Sequence, residues 1–171
     1  MCKLEDLSPQ AKVWIYQSDR PFTTDEKKRI SEMGDQFVAD WSAHGTSLKA
    51  CFRILYDRFL AFFVDEGQQE ATGCSIDRSV HFIKGLESNF DLNLLDRKLV
   101  AFRSEQGIET LPFDRIDRAI EEGRLKRDSI VFNNLVRTKK EFEEEWEVPL
   151  HQSWYSRLIK EENLTARAER E

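Results

Sequence analysis

Glycine, cysteine and histidine are all scarce in this chain, and each scarcity closes off a class of protein. The seven glycines form neither G-x-x-x-x-G-K-[ST] nor G-x-G-x-x-G, so no phosphate-cradling loop is written in the sequence. The three histidines make no H-E-x-x-H or H-x-x-x-H and the three cysteines no C-x-x-C, which leaves no compact metal-ligand motif. Cys2, Cys51 and Cys74 stand at wide, odd spacings, so a disulfide framework is not expected. No linker or low-complexity tract interrupts the chain. No apolar run approaches a membrane span, and residues 1–9 lack the apolar core of a signal peptide, so we expect a cytoplasmic protein without membrane contact. Lys and Arg number 26 against 32 Asp and Glu, a net charge of −6, so no nucleic-acid partner is expected.

Large apolar side chains, by contrast, are plentiful. Hydrophobic residues make up 40% of the 171, with twelve Phe and four Trp, enough to pack an interior. That length suits one domain, with a core at about 12–160 and a charged tail at 161–171. The expected class is α+β with a mainly antiparallel sheet.

Residues 13–16 (Val-Trp-Ile-Tyr) read as a short strand. Thr23 with Glu26 three residues later is a capping box, and Ile30, Met33, Phe37, Val38 and Trp41 supply the apolar stripe of a helix that Gly45 stops, with His44 in its last turn. Residues 48–65 read as a hairpin turning at Asp57-Arg58; the return run, 59–64, is apolar throughout and so is expected to be a central strand covered on both faces. A helix over 76–90 follows, then a second hairpin from 99–102 and 108–111 around Gly107, a short helix over 114–122 ended by Gly123, and a strand at 129–132. Thr138 and Glu141 repeat the capping-box spacing, and that helix runs to about Trp146 ahead of Pro149. Trp154, Tyr155 and Leu158 close the pattern in an amphipathic turn or two. The order up to Phe102 predicts a ferredoxin-like βαββαβ start, with a helical C-terminal extension beyond it.

The stretch 71–83, Ala-Thr-Gly-Cys-Ser-Ile-Asp-Arg-Ser-Val-His-Phe-Ile, gathers the most chemistry. Gly73 permits a turn and Ser75 is a natural N-cap. Cys74 then stands at the positive end of a helix dipole, which lowers a thiol's pKa. Asp77 and His81 are four apart on one helix face, where a carboxylate can orient an imidazole. Thiolate, base and orienting group are the parts of a nucleophilic site, to which His44 can add a base and Asn133 an orienting amide. A zinc site from Cys74 and His81 needs two more ligands, such as His44 and Cys51. The same letters also serve structure alone: a cap, a first-turn acid, a small core thiol, and a histidine at the rim of the core.

Residues 13–20, 41–50, 73–84, 128–136 and 146–150 together resemble a family of small uncharacterised bacterial proteins, over most of the chain to about Trp154. Members of that family often carry the label ABC transporter ATPase. This chain lacks the phosphate loop, the magnesium-binding strand motif and the signature sequence such an ATPase needs, so the resemblance supports the domain limits and implies no mechanism.

Two functions are therefore expected to compete. One is a non-catalytic binding or accessory protein acting through protein–protein contacts, by a surface of the sheet or by the aromatic segment of Trp146, Trp154 and Tyr155. The other is a small-molecule enzyme centred on Cys74, with Asp77, His81, His44 and Asn133 around it. Neither reading calls for a cofactor or a resident metal.

Overall fold

A computed structural model describes residues 2–43, 46–47, 49–65 and 73–160; the side chains of 42–43, 46–47 and 73–76 lie outside that description. The chain divides into two units, one formed by Met1–Arg97 with Asn134–Glu144 and the other by Lys98–Asn133 with Glu145–Glu171. The architecture is α+β, with antiparallel sheets in both.

The first unit is built on a three-stranded sheet. Strand β1 (Lys12–Gln17) leads into α1 (Thr24–Asp40), two short strands β2 (Ser42–Ala43) and β3 (Thr46–Ser47) pair with each other, and β4 (Lys49–Leu55) turns into β5 (Phe59–Asp65). The sheet order is β1-β5-β4, which makes β5 the central strand, as its unbroken apolar run predicts. Phe59 to Val64 have no exposed surface. On one face Trp14, Tyr16, Phe52, Leu60, Phe62 and Val64 meet Ile30 and Phe37 of α1 and Ile83, Leu86 and Phe90 of α2 (Gly73–Phe90). On the other, Val13, Cys51, Ala61 and Phe63 are covered by Leu4, Leu7 and Ala11, and by Phe142 of the helix α4 (Lys139–Glu145).

Local chemistry explains where most of these elements start and stop. The Thr23 side chain accepts from the Glu26 N–H at 3.3 Å while the Glu26 carboxylate accepts from the Thr23 N–H at 2.7 Å, the reciprocal box read from the sequence. The β4–β5 turn centres on Tyr56 and Asp57, both at positive φ (48° and 54°), the geometry that matches strand twist in tight hairpins. It lies one residue before the expected Asp57-Arg58 pair. At the end of α2 the left-handed residue is Asp91 (φ 51°), with no glycine involved.

Two boundaries differ from expectation. Helix α1 stops at Asp40, ahead of Gly45: Trp41 takes extended backbone and buries its indole completely against Trp14, Phe37 and Phe62. Burial of that ring outweighs another helical turn. His44 is thus not in the last turn of α1 and lies outside the described residues. Helix α2 opens at Gly73, which places Gly73, Cys74 and Ser75 within the helix rather than in a turn and cap before it.

The second unit carries the sheet β7-β6-β8-β9, from β6 (Leu99–Ser104), β7 (Gly107–Pro112), β8 (Ile130–Phe132) and β9 (Glu147–Pro149). Gly107 (φ 118°) turns the β6–β7 hairpin, and Gly123 (φ 74°) follows the short helix α3 (Ile116–Glu121). Val100, Phe102, Leu111 and Val131 pack with Ile116, Leu125, Leu150 and Tyr155 into its core. The ferredoxin-like order does not appear in the pairing, because β6 hydrogen-bonds β7 and β8 and belongs to this sheet. The two-residue turn makes β7 the cheap partner on one edge of β6, and β8 takes the other edge, which leaves none for the first sheet. In place of a helical extension, the chain after α4 forms β9 and two short 3-10 turns, Leu150–Gln152 and Trp154–Leu158. Pro149 sits at the end of the outer strand β9, where a missing N–H is tolerated.

The cysteines also depart from expectation. Cys2 and Cys51 form a disulfide, with Cα atoms 5.4 Å apart across a sequence separation of 49. Residues 2–11 cross the face of the sheet that carries Cys51, a proximity that spacing along the chain does not reveal.

Candidate functional site

The sequence points first to α2. Its buried stripe, Ser79, Ile83, Leu86 and Phe90, turns toward the sheet, which leaves Asp77, Arg78, His81 and Lys84 exposed. Asp77 and His81 stand one helical turn apart on α2, yet among the described residues no hydrogen bond or ion pair joins their side chains. Cys74 lies in the first turn of α2, with its side chain outside the described residues, as is His44. Asn133 follows β8 in the second unit, where its N–H donates to the Trp146 carbonyl at 2.7 Å. Cys51, a zinc ligand on one reading, is committed to the disulfide. Among the described residues no group of three or more His, Cys, Asp or Glu is placed to hold a metal ion.

The most organised polar cluster lies elsewhere, where the loop after β1 meets the β4–β5 turn and the end of α2. Arg20 grips both oxygens of Glu26 at 2.8 and 2.9 Å and donates to the Phe90 carbonyl at 2.9 Å. The hydrogen bond from Arg20, aided by the Thr23 N–H, holds the Glu26 carboxyl down at about 2. Arg58 is buried and donates to the carbonyls of Asp19 (3.0 Å) and Ser18 (3.4 Å); burial lowers its pKa. Asp19 in turn accepts from the Asn93 N–H at 3.2 Å, and Lys27 pairs with Asp57 at 2.8 Å. Every group in this cluster is spent on tying three loops together, so it is a structural knot.

Sequence reasoning passed over His151. Its Nδ1 lies 3.1 Å from the Arg127 carbonyl and 3.2 Å from the Asp128 carboxylate. The signal was available only as a loop aspartate 23 positions upstream, a separation that carries no periodicity. Asp128 is largely exposed, so the contact anchors the 3-10 turn rather than building an oriented base.

The C-terminal aromatics are also placed differently from the interface reading. Trp146 and Tyr155 are buried, and Trp154 packs on Tyr155 with ring centres 4.2 Å apart. They belong to the interior of the second unit, and burial pushes the Tyr155 phenol up to about 12.

Fold and side chains together define an α+β protein with two antiparallel sheets in which the described polar clusters serve structure. No protein-family model matches the chain, nor does any curated protein or solved structure. Among the described residues, no helix is long and apolar enough to cross a membrane.

Proposed function

We propose that this protein is a non-catalytic binding or accessory protein of the cytoplasm, acting through protein–protein contacts. The observation that carries the reading is β7. It is an outer strand six residues long, and among the described strands it pairs with β6 alone. An outer strand offers a row of N–H and C=O groups to any extended partner, and proteins usually blunt such edges with lysine, proline or cover.

The other outer strands are blunted. β1 is bridged by Arg137 and Thr138, β4 carries Lys49 and Arg53, and β9 has three residues and ends in Pro149. β7 also ends in a proline, Pro112, but it is six residues long, it holds no lysine, and its one acid, Glu109, pairs with Arg124 at 3.2 Å. At its end stands Phe113, 39% exposed, an aromatic anchor of the kind enriched at interfaces.

Affinity capture from native lysate, with cross-linking, tests the reading on three proteins: the natural chain, Thr110→Lys and Phe113→Asp. A partner held by the natural chain and recovered at least about tenfold less by either folded variant supports it, a difference of about 1.4 kcal/mol. A strictly monomeric protein that retains nothing overturns the binding reading. Equal recovery on all three proteins overturns the role of β7.

A further inference from the structure

The cover on the second face of the first sheet is fastened in two different ways. Residues 7–11 are held by buried, independent contacts. Leu7 and Ala11 are almost fully buried, the Lys139 ammonium donates to the Leu7 carbonyl at 3.2 Å, and the Ser8 N–H donates to Asp65 at 3.0 Å. The N–H groups of Lys139 and Lys140 donate to the carbonyls of Ala11 and Pro9 at 2.8 and 2.9 Å. Residues 2–6 have no comparable anchor. Lys3, Glu5 and Asp6 are exposed and Leu4 is half-buried. Their polar ties to the sheet are the Arg53 guanidinium on the Cys2 carbonyl and the Lys49 ammonium on the Asp6 carbonyl. The covalent tie is the disulfide to Cys51, whose own side chain has no exposed surface.

We propose that Cys2–Cys51 is a redox-operated latch that releases residues 2–6 from the sheet while residues 7–11 stay in place. The reductant is a dithiol. One of its thiolates attacks the Cys2 sulfur, the more accessible of the two, and forms a mixed disulfide as the Cys51 sulfur departs and takes a proton. The second reductant thiol then displaces Cys2, which takes the other proton. Two electrons pass to the bridge, the protein ends with two thiols and the reductant with one disulfide. In the reduced state β4 presents Lys49, Cys51 and Arg53 without the strap that now occupies them. A glutathione-buffered compartment favours the open form, and oxidation closes it.

The chain is first oxidised with glutathione disulfide, and trypsin cleavage after Lys3 is then followed by mass spectrometry with and without dithiothreitol. The latch requires an intramolecular Cys2–Cys51 bridge after oxidation and cleavage after Lys3 at least about tenfold faster on reduction, with cleavage after Lys12 and the far-ultraviolet circular dichroism unchanged. Cys2→Ser should be cut at the fast rate with or without dithiothreitol, and Cys2→Ala serves the same purpose if the serine variant does not fold. Failure of the bridge to form, an unchanged rate after Lys3, or a parallel rise after Lys12 overturns the latch. So does a cysteine variant whose cleavage still follows the reductant.

Discussion

Phe62 lies at the centre of β5 with none of its surface exposed, ringed by Tyr16, Phe37, Trp41, Phe52 and Phe82. Truncating a buried phenylalanine costs about 3–5 kcal/mol, and an unpaired carboxylate in the same place costs more. We expect Phe62→Asp to be insoluble or unfolded by circular dichroism; a soluble variant melting at the natural temperature would refute this core. Tyr155 gives a test by pH. Its folded pKa, about 12, is above the ordinary 10.0 because burial penalises the phenolate. A raised pKa means the stability is whole below about pH 10 and is lost as pH rises toward 12. Urea unfolding at about pH 9 and about pH 11 should therefore show a smaller drop for Tyr155→Phe than for the natural chain, by about 1 kcal/mol. An identical drop would place the phenol in water.

At the scale of elements, α1 and α2 each contain one mid-helix glycine, and the two should respond to alanine with opposite signs. Gly34 is buried where α1 crosses β4, and a methyl group there would run into the Phe52 ring. Gly85, on α2, has open space around the same position. Alanine normally gains about 0.5–1 kcal/mol over glycine within a helix. We expect that gain for Gly85→Ala, and a loss of about 1–3 kcal/mol for Gly34→Ala, since the ring must leave its rotamer or the helix must lift. Thermal or urea melts decide both. A stabilised Gly34→Ala would mean that the helix and sheet are farther apart than described. Glycine at this position is thus a packing residue, and its neighbour in space, Phe52, is eighteen positions away in sequence.

For the whole molecule, the covalent constraint belongs to the first unit, where the disulfide closes a loop of 49 residues that includes β1, α1 and the start of β4. Closing a loop of that length restricts the unfolded chain, and removing a native bridge typically costs about 2–4 kcal/mol. Urea unfolding with and without a dithiol should show a loss in that range. Superimposable curves from protein shown to be bridged beforehand would mean that the native cover is held by its other contacts alone.

Much of the local structure could be read from residues close together in the chain. The Thr23–Glu26 box, the apolar run of β5, the Gly107 hairpin and the stop at Gly123 each depend on periodicity or backbone conformation within a few residues. Thr138 was legible in part: it caps the Glu141 N–H at 3.2 Å, but the Glu141 carboxylate returns to the Arg137 N–H at 2.7 Å and not to Thr138. The helical spacing of Asp77 and His81 was also legible, but not whether their side chains would meet. Tertiary structure alone decided that Trp41 ends α1, that β6 also joins β8, that Trp146 and Tyr155 face inward, and that Cys2 reaches Cys51. Those outcomes join residues far apart along the chain. Among distant partners the free energy of closing a loop changes slowly with its length, so separation in sequence cannot rank them. The partner that buries the most apolar surface wins, even where, as at Trp41, the indole N–H is left without a hydrogen-bond partner among the described residues, and that comparison exists only once the chain is folded.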